Sequence, residues 1–268
     1  MEQNKEQLKG RRRGWLDVVM YLVTFIVIQM VVASGISGLW NAVSPESGQT
    51  VQMIVSIAVF SVLTVAVFLA AGWCVVSPAY LRTRSWGVFF WSAMAAVGAI
   101  IPSTWLQEQL PELPNIVGEE LELVLKERWG YVAVGLLAPF AEEVVFRGAV
   151  LRALFSVLKR PWPAIAVSAV LFALVHGNPA QMPHAFLVGL LLGWMCWRTG
   201  SILPGVAYHW VNNSVAYVLV NILPDPEAPL VEIFHGDSRA VLLSVLFSLM
   251  ILLPSIFQLS VLMRKSRT

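Results

Sequence analysis

The chain has 268 residues, of which 57% are hydrophobic and only 13% are charged. Because soluble domains average about 45–50% apolar and about 25% charged residues, this composition excludes a water-soluble protein and indicates an integral membrane protein. The formal net charge of +2 gives no reason to expect a nucleic-acid partner. The two cysteines, Cys74 and Cys196, lie far apart in apolar runs, which excludes a disulfide framework.

Eight apolar stretches approach or exceed the roughly 20 residues that a helix needs to cross a lipid bilayer. They predict helices over residues 15–39, 51–76, 86–106, 129–158, 161–177, 183–198, 202–222 and 239–262. No linker or internal repeat separates them, so residues 1–268 are predicted to form one all-α, multi-pass membrane domain. The first stretch follows a basic segment, as a signal peptide does, but its length favours a retained helix.

The basic residues predict the topology of these helices. With a cytoplasmic N-terminus, 14 of the 18 basic residues fall on the inner side, whereas the outer loops hold only Lys126, Arg128 and Arg239. The inner set comprises Lys5, Lys9, Arg11, Arg12, Arg13, Arg82, Arg84, Arg152, Lys159, Arg160, Arg198, Arg264, Lys265 and Arg267. This partition follows the positive-inside rule and predicts that both termini are cytoplasmic.

The outer loops contain acidic residues and two of the four histidines. The glutamate-rich loop after the third predicted helix is interpreted as a solvated segment that can include an interfacial helix, rather than as a funnel for cations or substrate. His184 follows Pro183 at the outer start of the sixth predicted helix, and His235 lies in the last outer loop. We expect both histidines at the membrane interface, with no direct role in chemistry.

The fourth predicted helix carries charged residues near its middle, where an ionisable side chain costs about 2.5–3.5 kcal/mol on insertion scales. These are Glu142, Glu143 and Arg147. Glu143 and Arg147 are four residues apart, so they share a helical face and can form an ion pair. Glu142 is then left without a charged partner. Pro139 lacks a backbone N–H and is expected to kink the helix or to expose carbonyl groups beside the carboxylates.

Two further polar groups lie on the fifth and seventh predicted helices. Phe172 and His176 are four residues apart, so the phenyl ring can pack beside the imidazole, and His209 and Asn213 share a face in the same way. Such residues ordinarily form hydrogen bonds between transmembrane helices. The three groups, however, together contain two Glu, one Arg, two His and one Asn. This set has more acidic and basic groups than helix packing requires, which favours catalysis.

The depth of each residue along its helix indicates whether the groups can meet. Counted from the basic hairpin after the fourth predicted helix, Glu142 and His176 both lie about 25 Å above it. His209 lies only about 14 Å above the turn at Gly200. The difference in depth disappears if residues 200–205 form a non-helical or re-entrant segment that already lies inside the protein.

Together, the three groups resemble the motifs of the type II CAAX-prenyl-protease and bacteriocin-immunity (CPBP or Abi) family of membrane proteases, which includes the Ras-converting CAAX endoprotease. The family motifs EExxxR, FxxxH and HxxxN appear in order, as Glu142-Glu143 through Arg147, Phe172 through His176, and His209 through Asn213. Residues 199–204 are similar to the family's TGS turn. The resemblance covers residues 131–222, which are therefore the predicted catalytic core.

The resemblance implies an intramembrane endopeptidase. Glu142 would be the general base that deprotonates a water, and His176 would assist it and later protonate the leaving amine. His209 and Asn213 would donate hydrogen bonds to the developing oxyanion. The supporting residues would be Glu143, Arg147 and Phe172. On this interpretation no cofactor is needed.

A second mechanism uses the same residues. Glu142, His176 and His209 would bind Zn²⁺ as a His₂Glu set with water in the fourth position, as in some soluble metallopeptidases. The family is often named a metalloprotease. The chain has no HExxH motif that would supply two ligands from one helix.

Other classes of function stay open at this point. A transporter would use the charged residues as a proton relay, but it would normally show inverted repeats, and none is found. A noncatalytic immunity or partner-binding protein would tolerate loss of Glu142 and His176, and a haem protein would use His176 and His209 as axial ligands. The resemblance implies a peptide or protein substrate at or in the membrane, with or without an attached lipid. The short loops favour a bacterial plasma-membrane protein.

Overall fold

The structure is a computed structural model. It describes residues 2–43, 48–74, 76 and 86–263, with side chains from residue 14 onward. The described residues form helices and turns without any strand, which confirms the all-α prediction. Five basic residues used for the predicted topology lie outside the described residues, namely Arg82, Arg84, Arg264, Lys265 and Arg267. Five more belong to the N-terminal segment whose side chains are not described, namely Lys5, Lys9, Arg11, Arg12 and Arg13.

Ten α-helices, one of them with π-helical segments, follow one another in the described part of the chain, with a short 3₁₀-helix at Pro179–Gln181. They are α1 (Glu2–Val43), α2 (Gln49–Ala70), α3 (Trp86–Glu108), α4 (Gly118–Lys126), α5 (128–158), α6 (Pro161–Val175), α7 (Met182–Thr199), α8 (Leu203–Ile222), α9 (Leu230–Ile233) and α10 (Ser238–Leu262). Each predicted apolar stretch corresponds to one of the long helices. The short helix α4 lies in the glutamate-rich loop, where an interfacial helix is predicted.

Helix α5 changes its hydrogen-bonding pattern along its length. Two π-helical segments, Tyr131–Leu137 and Val144–Val150, flank the α-helical segment Ala138–Glu143. Insertions of this kind inside α-helices occur frequently at functional sites. The two carboxylates of the first motif therefore lie between two widened segments of the helix.

Four helices are long and apolar enough to cross a membrane by length and composition, namely Gly14–Val43, Gln49–Ala70, Trp86–Glu108 and Ser238–Leu262. They expose large apolar side chains, such as Phe247 at 67% and Met250 at 72%, and lipid is the environment that suits such faces. Helix α6 is apolar but shorter, while α5 and α8 carry the polar motif residues. Eight membrane crossings therefore stay a prediction.

The loops predicted for the outer side contact one another. Asn178, which follows α6, donates a hydrogen bond from Nδ2 to Asn115 Oδ1 at 2.8 Å and accepts one from the N–H of Ile116 at 3.1 Å. Asn115 in turn donates to Glu227, which precedes α9. Three loops that are distant in sequence thus join at one end of the helices.

The helix ends predicted for the inner side meet at the other end. Arg152 near the end of α5 donates to the carbonyl of Gly200 at 3.1 Å. Arg198 near the end of α7 donates to the carbonyls of Ser260 and Met263 at the end of α10. The helix ends that the prediction assigns to the inner side thus lie together. Which end of the helices is cytoplasmic stays a prediction.

Helices α5 to α8 pack together, with α1 and α2 against α5, α3 against α7 and α8, and α10 against α3. Gly189 and Gly193 on α7 let α6 approach closely. A Cβ on Gly189 would lie 2.9 Å from Ala169 Cα, and one on Gly193 would lie 2.9 Å from Ile165 Cγ2. The two glycines form the GxxxG spacing that brings membrane helices together.

Substitution of Gly189 by valine should separate α6 from α7 and lower the thermal stability of the detergent-purified protein. Overpacking of this kind costs about 1–3 kcal/mol. The matched control is Gly35→Val in α1, because nothing lies within 4 Å of a Cβ at that helical glycine. Equal melting temperatures for the two variants would contradict the close contact between α6 and α7.

Candidate active site

The innermost part of the site is an ion pair that is shielded from water. Arg147 Nη1 lies 2.8 Å from Glu143 Oε1, and their side chains are 1% and 0% exposed. Arg147 also donates from Nη2 to the carbonyl of Gly189 at 3.3 Å, and its guanidinium carbon lies 4.3 Å from the centre of the Phe172 ring. The pair predicted from the four-residue spacing is therefore present and is held by α6 and α7.

His209 on α8 lies between the two adjacent carboxylates. Its Nε2 is 3.6 Å from Glu142 Oε2, and its Nδ1 is 3.4 Å from Glu143 Oε1. The Glu142 side chain is 22% exposed, in contrast to that of Glu143. Arg147 thus neutralises the buried carboxylate, and Glu142 is the carboxylate that water can reach.

Helix α8 approaches the carboxylates because the preceding turn lies inside the protein. Ser201 and Ile202 are both 0% exposed, and Pro204 and Gly205 are also buried, whereas Gly200 is exposed, so the expected buried stretch begins after Gly200. A Cβ on Gly205 would lie 2.7 Å from Glu143 Oε2, so only glycine permits this approach without displacement. The turn raises His209 to the level of Glu143.

The ring of Phe172 connects the three motifs. His176 stands perpendicular to it at 4.8 Å between ring centres, and His209 does so at 5.8 Å. The carbonyl of Phe172 is 2.7 Å from His176 Nδ1. Because a carbonyl can only accept, Nδ1 carries the hydrogen, and in the neutral ring Nε2 keeps its lone pair. In the described structure no hydrogen bond or ion pair joins His176 to Glu142.

Asn213 contacts the turn of α5 that precedes Pro139. In the π-helical segment before Pro139, the N–H of Ala138 donates to the carbonyl of Ala133, five residues back. The corresponding donor to Val134 would be Pro139, which has no N–H. Asn213 Nδ2 donates to that carbonyl instead, at 3.0 Å. The expectation that Pro139 leaves a carbonyl without its helical partner therefore agrees with the structure.

Buried side-chain atoms without a hydrogen-bond partner are concentrated at this site. Within the described residues they are Thr64 Oγ1, Glu143 Oε1 and Oε2, Arg147 Nε and Nη1, His209 Nδ1 and Asn212 Oδ1. Apart from Thr64, all of them belong to the motifs or lie next to a motif residue. Glu143 Oε1, Arg147 Nη1 and His209 Nδ1 nevertheless have partners in the close contacts described above. The atoms of the site that could still bind water or a ligand are therefore Glu143 Oε2, Arg147 Nε and Asn212 Oδ1.

His184 is a site neighbour that the sequence did not identify. Its imidazole contacts Ser103 Oγ at 3.2 Å and lies near His209 and His176, and its place at the membrane interface stays a prediction. The available signal was its position eight residues after His176, at the same end of the adjacent helix. His235, by contrast, is exposed in its loop, as expected.

The donor groups of the site are not arranged around a common point that a metal ion could occupy. In the residues that the structure describes, no group of three or more His, Cys, Asp and Glu side chains is placed to hold a metal ion. Glu142 and His209 lie close together, but His176 has no such contact with either of them. Glu142, His176 and His209 therefore do not form a ligand set as they stand.

The comparisons with known proteins point to the same helices as the motifs. Residues 125–215 match a family model described as type II CAAX prenyl endopeptidase Rce1-like. Neither a curated protein nor a solved structure matches the chain. The matched segment contains all three motifs and runs from the end of α4 into α8. The predicted resemblance is thus confirmed: residues 125–215 are similar to the CPBP/CAAX protease family.

Proposed function

We propose that the protein is an intramembrane endopeptidase of the CAAX-protease/Abi type that hydrolyses a peptide bond with a water activated by Glu142. The family match implies protease activity at a membrane. The observation that carries the assignment is the unequal environment of two adjacent carboxylates. Arg147 neutralises the buried Glu143, whereas Glu142 is partly exposed and faces His209. This arrangement provides one carboxylate for structure and one for proton transfer.

The proposed reaction needs no group beyond water and these side chains. Glu142 takes a proton from the water while the oxygen of that water attacks the carbonyl carbon of the substrate. His209 and Asn213 donate to the oxygen that becomes negative. His176 Nε2 then accepts the proton that Glu142 took from the water, and when the C–N bond breaks it delivers that proton to the leaving nitrogen, which becomes the new amine. The Nδ1–H···O=C bond of His176 to Phe172 directs Nε2 for this transfer.

The substrate class is a peptide or protein segment at or in the membrane, and the proposed location is a bacterial plasma membrane. Cells that produce the wild-type chain should contain new protein termini that are missing from cells with Glu142→Ala, as measured by mass spectrometry of protein termini. Membrane proteins should dominate the set. A set of termini that does not depend on Glu142 would contradict the protease assignment and favour a noncatalytic immunity or partner-binding protein.

Substitutions of the two adjacent glutamates should separate catalysis from stability. Glu142→Ala should lower hydrolysis of a quenched fluorescent peptide with a prenylated CAAX end by about 10²–10⁴-fold, as expected for loss of a general base, with an unchanged melting temperature. Glu143→Ala leaves the Arg147 charge buried without its partner, which costs about 3–5 kcal/mol. This control should therefore lose stability as well as activity. Full activity of purified Glu142→Ala would contradict the proposal.

The zinc mechanism remains the alternative for the same reaction, and metal content distinguishes the two. With water activated by the carboxylate, the purified protein should cleave the peptide at less than stoichiometric zinc and should resist chelators. Zinc would instead supply Lewis-acid activation of the water, held by Glu142, His176 and His209 after rearrangement. Loss of activity on chelation, with recovery on zinc addition, would favour the metal mechanism.

A further inference from the structure

The hydroxyl of Tyr131, near the start of α5, joins this helix to α8 by hydrogen bonds whose directions are all determined. Trp210 Nε1, which can only donate, donates to the Tyr131 hydroxyl at 3.0 Å. The Ser214 hydroxyl donates its single hydrogen to the carbonyl of Trp210 at 2.7 Å. Ser214 Oγ also lies 3.1 Å from the Tyr131 hydroxyl, so there Ser214 accepts and Tyr131 donates. One hydroxyl of α5 thus bonds two side chains of α8.

These bonds lie on either side of Asn213 in the sequence of α8. Trp210 precedes Asn213 by three residues, and Ser214 follows it directly. Tyr131 belongs to the same π-helical segment as Val134, whose carbonyl accepts from Asn213 Nδ2 at 3.0 Å. The Tyr131 hydroxyl therefore fixes the rotation and the height of the Asn213 turn against the segment of α5 that this amide contacts.

The ring of Tyr131 is packed on two sides. Its centre lies 4.9 Å from the centre of the Tyr217 ring, which comes four residues after Asn213 on α8. A Cβ on Gly135 would lie 2.6 Å from Tyr131 Cδ2, so the ring lies against the glycine of the next turn of α5. A ring held between these two neighbours presents its hydroxyl to α8 in one direction.

The orientation of the Asn213 amide decides whether it can serve the proposed reaction. One hydrogen of its Nδ2 goes to the Val134 carbonyl, so the second hydrogen is the one that could reach an oxyanion. Its Oδ1 accepts from Asn212 Nδ2 at 3.3 Å, which agrees with this orientation. Because an oxyanion donor must lie about 2.7–3.1 Å from the developing charge, a shift of α8 against α5 would move the amide out of range.

We propose that Tyr131 is a positioning residue for the hydrolysis, which holds Asn213 in place through Trp210 and Ser214. This inference rests on the proposed function, in which Asn213 donates to the oxyanion. Tyr131 makes no contact with the reacting atoms in this scheme. Loss of its hydroxyl should lower the rate of the chemical step and leave substrate binding unchanged.

Two substitutions break the contact from opposite sides. Tyr131→Phe removes the hydroxyl and keeps the packed ring, whereas Ser214→Ala removes the acceptor of that hydroxyl. With the prenylated CAAX peptide, each variant should lose about tenfold in kcat with KM unchanged, since small misplacements of reacting groups reduce catalysis steeply. Both are assayed below their melting temperatures, so that the protein is folded during the comparison. Wild-type kcat in either folded variant would overturn the inference.

The matched control removes a different hydrogen bond between α8 and a neighbouring helix. Asn221, eight residues after Asn213, donates from Nδ2 to the carbonyl of Leu125 in α4 at 3.0 Å. Asn221→Ala should therefore lower the melting temperature and keep the wild-type kcat. If kcat instead fell with melting temperature in the same way in this control and in Tyr131→Phe, Tyr131 would only maintain the fold and the inference would be wrong.

A double substitution separates this inference from the function beneath it. Asn213→Ala should lower kcat by about 10²–10³-fold, as expected for one oxyanion donor, and Tyr131→Phe should add nothing further in that background. Independent effects that multiply would overturn the positioning role and leave the proposed function intact. An Asn213→Ala variant with wild-type kcat would instead refute the oxyanion assignment, and the positioning role with it.

Discussion

The buried ion pair of Glu143 and Arg147 is the constraint around which the other helices are arranged. Removing two charges from water costs several kcal/mol for each ion, and close, well-directed partners must offset that cost. Arg147 meets the carbonyl of Gly189 and the face of Phe172, while Gly205 lets α8 reach the carboxylate. One pair therefore connects α5 with α6, α7 and α8, and these are the helices that carry or adjoin all three motifs.

This pair also explains how two adjacent glutamates acquire different roles. Neighbouring positions on a helix point about 100° apart, so Glu143 turns toward Arg147 while Glu142 turns toward the accessible side. His209 lies within 3.6 Å of both carboxylates. A compensated carboxylate maintains the structure, and the accessible one is free to accept a proton. If Glu142 is the proposed general base, the same logic predicts that a change at Glu143 lowers stability and that a change at Glu142 lowers activity.

The outer helices α1, α2, α3 and α10 differ in composition from the central helices α5 to α8. The four helices that meet the criteria for a membrane span carry no motif and expose apolar side chains. The central helices hold the costly polar groups and are covered by the outer ones on much of their surface. Polar groups can persist at this depth because protein, rather than lipid, surrounds them. The chemistry of the site thus depends on a shell that takes no part in it.

The sequence by itself determined which segments are helical, the pairing of Glu143 with Arg147 and the membership of the motifs in one site. The helices follow from the length of the apolar runs and the pair from four-residue spacing, whereas the joining of the motifs follows from their depth and their resemblance to the family motifs. Only the tertiary structure decided the π-helical segments of α5, the bond from Asn213 to Val134 and the contact of His184 with Ser103. Those contacts depend on how far one helix slides and turns against another. That register is set by packing between distant residues, such as Gly189 against Ala169, and no local pattern encodes it.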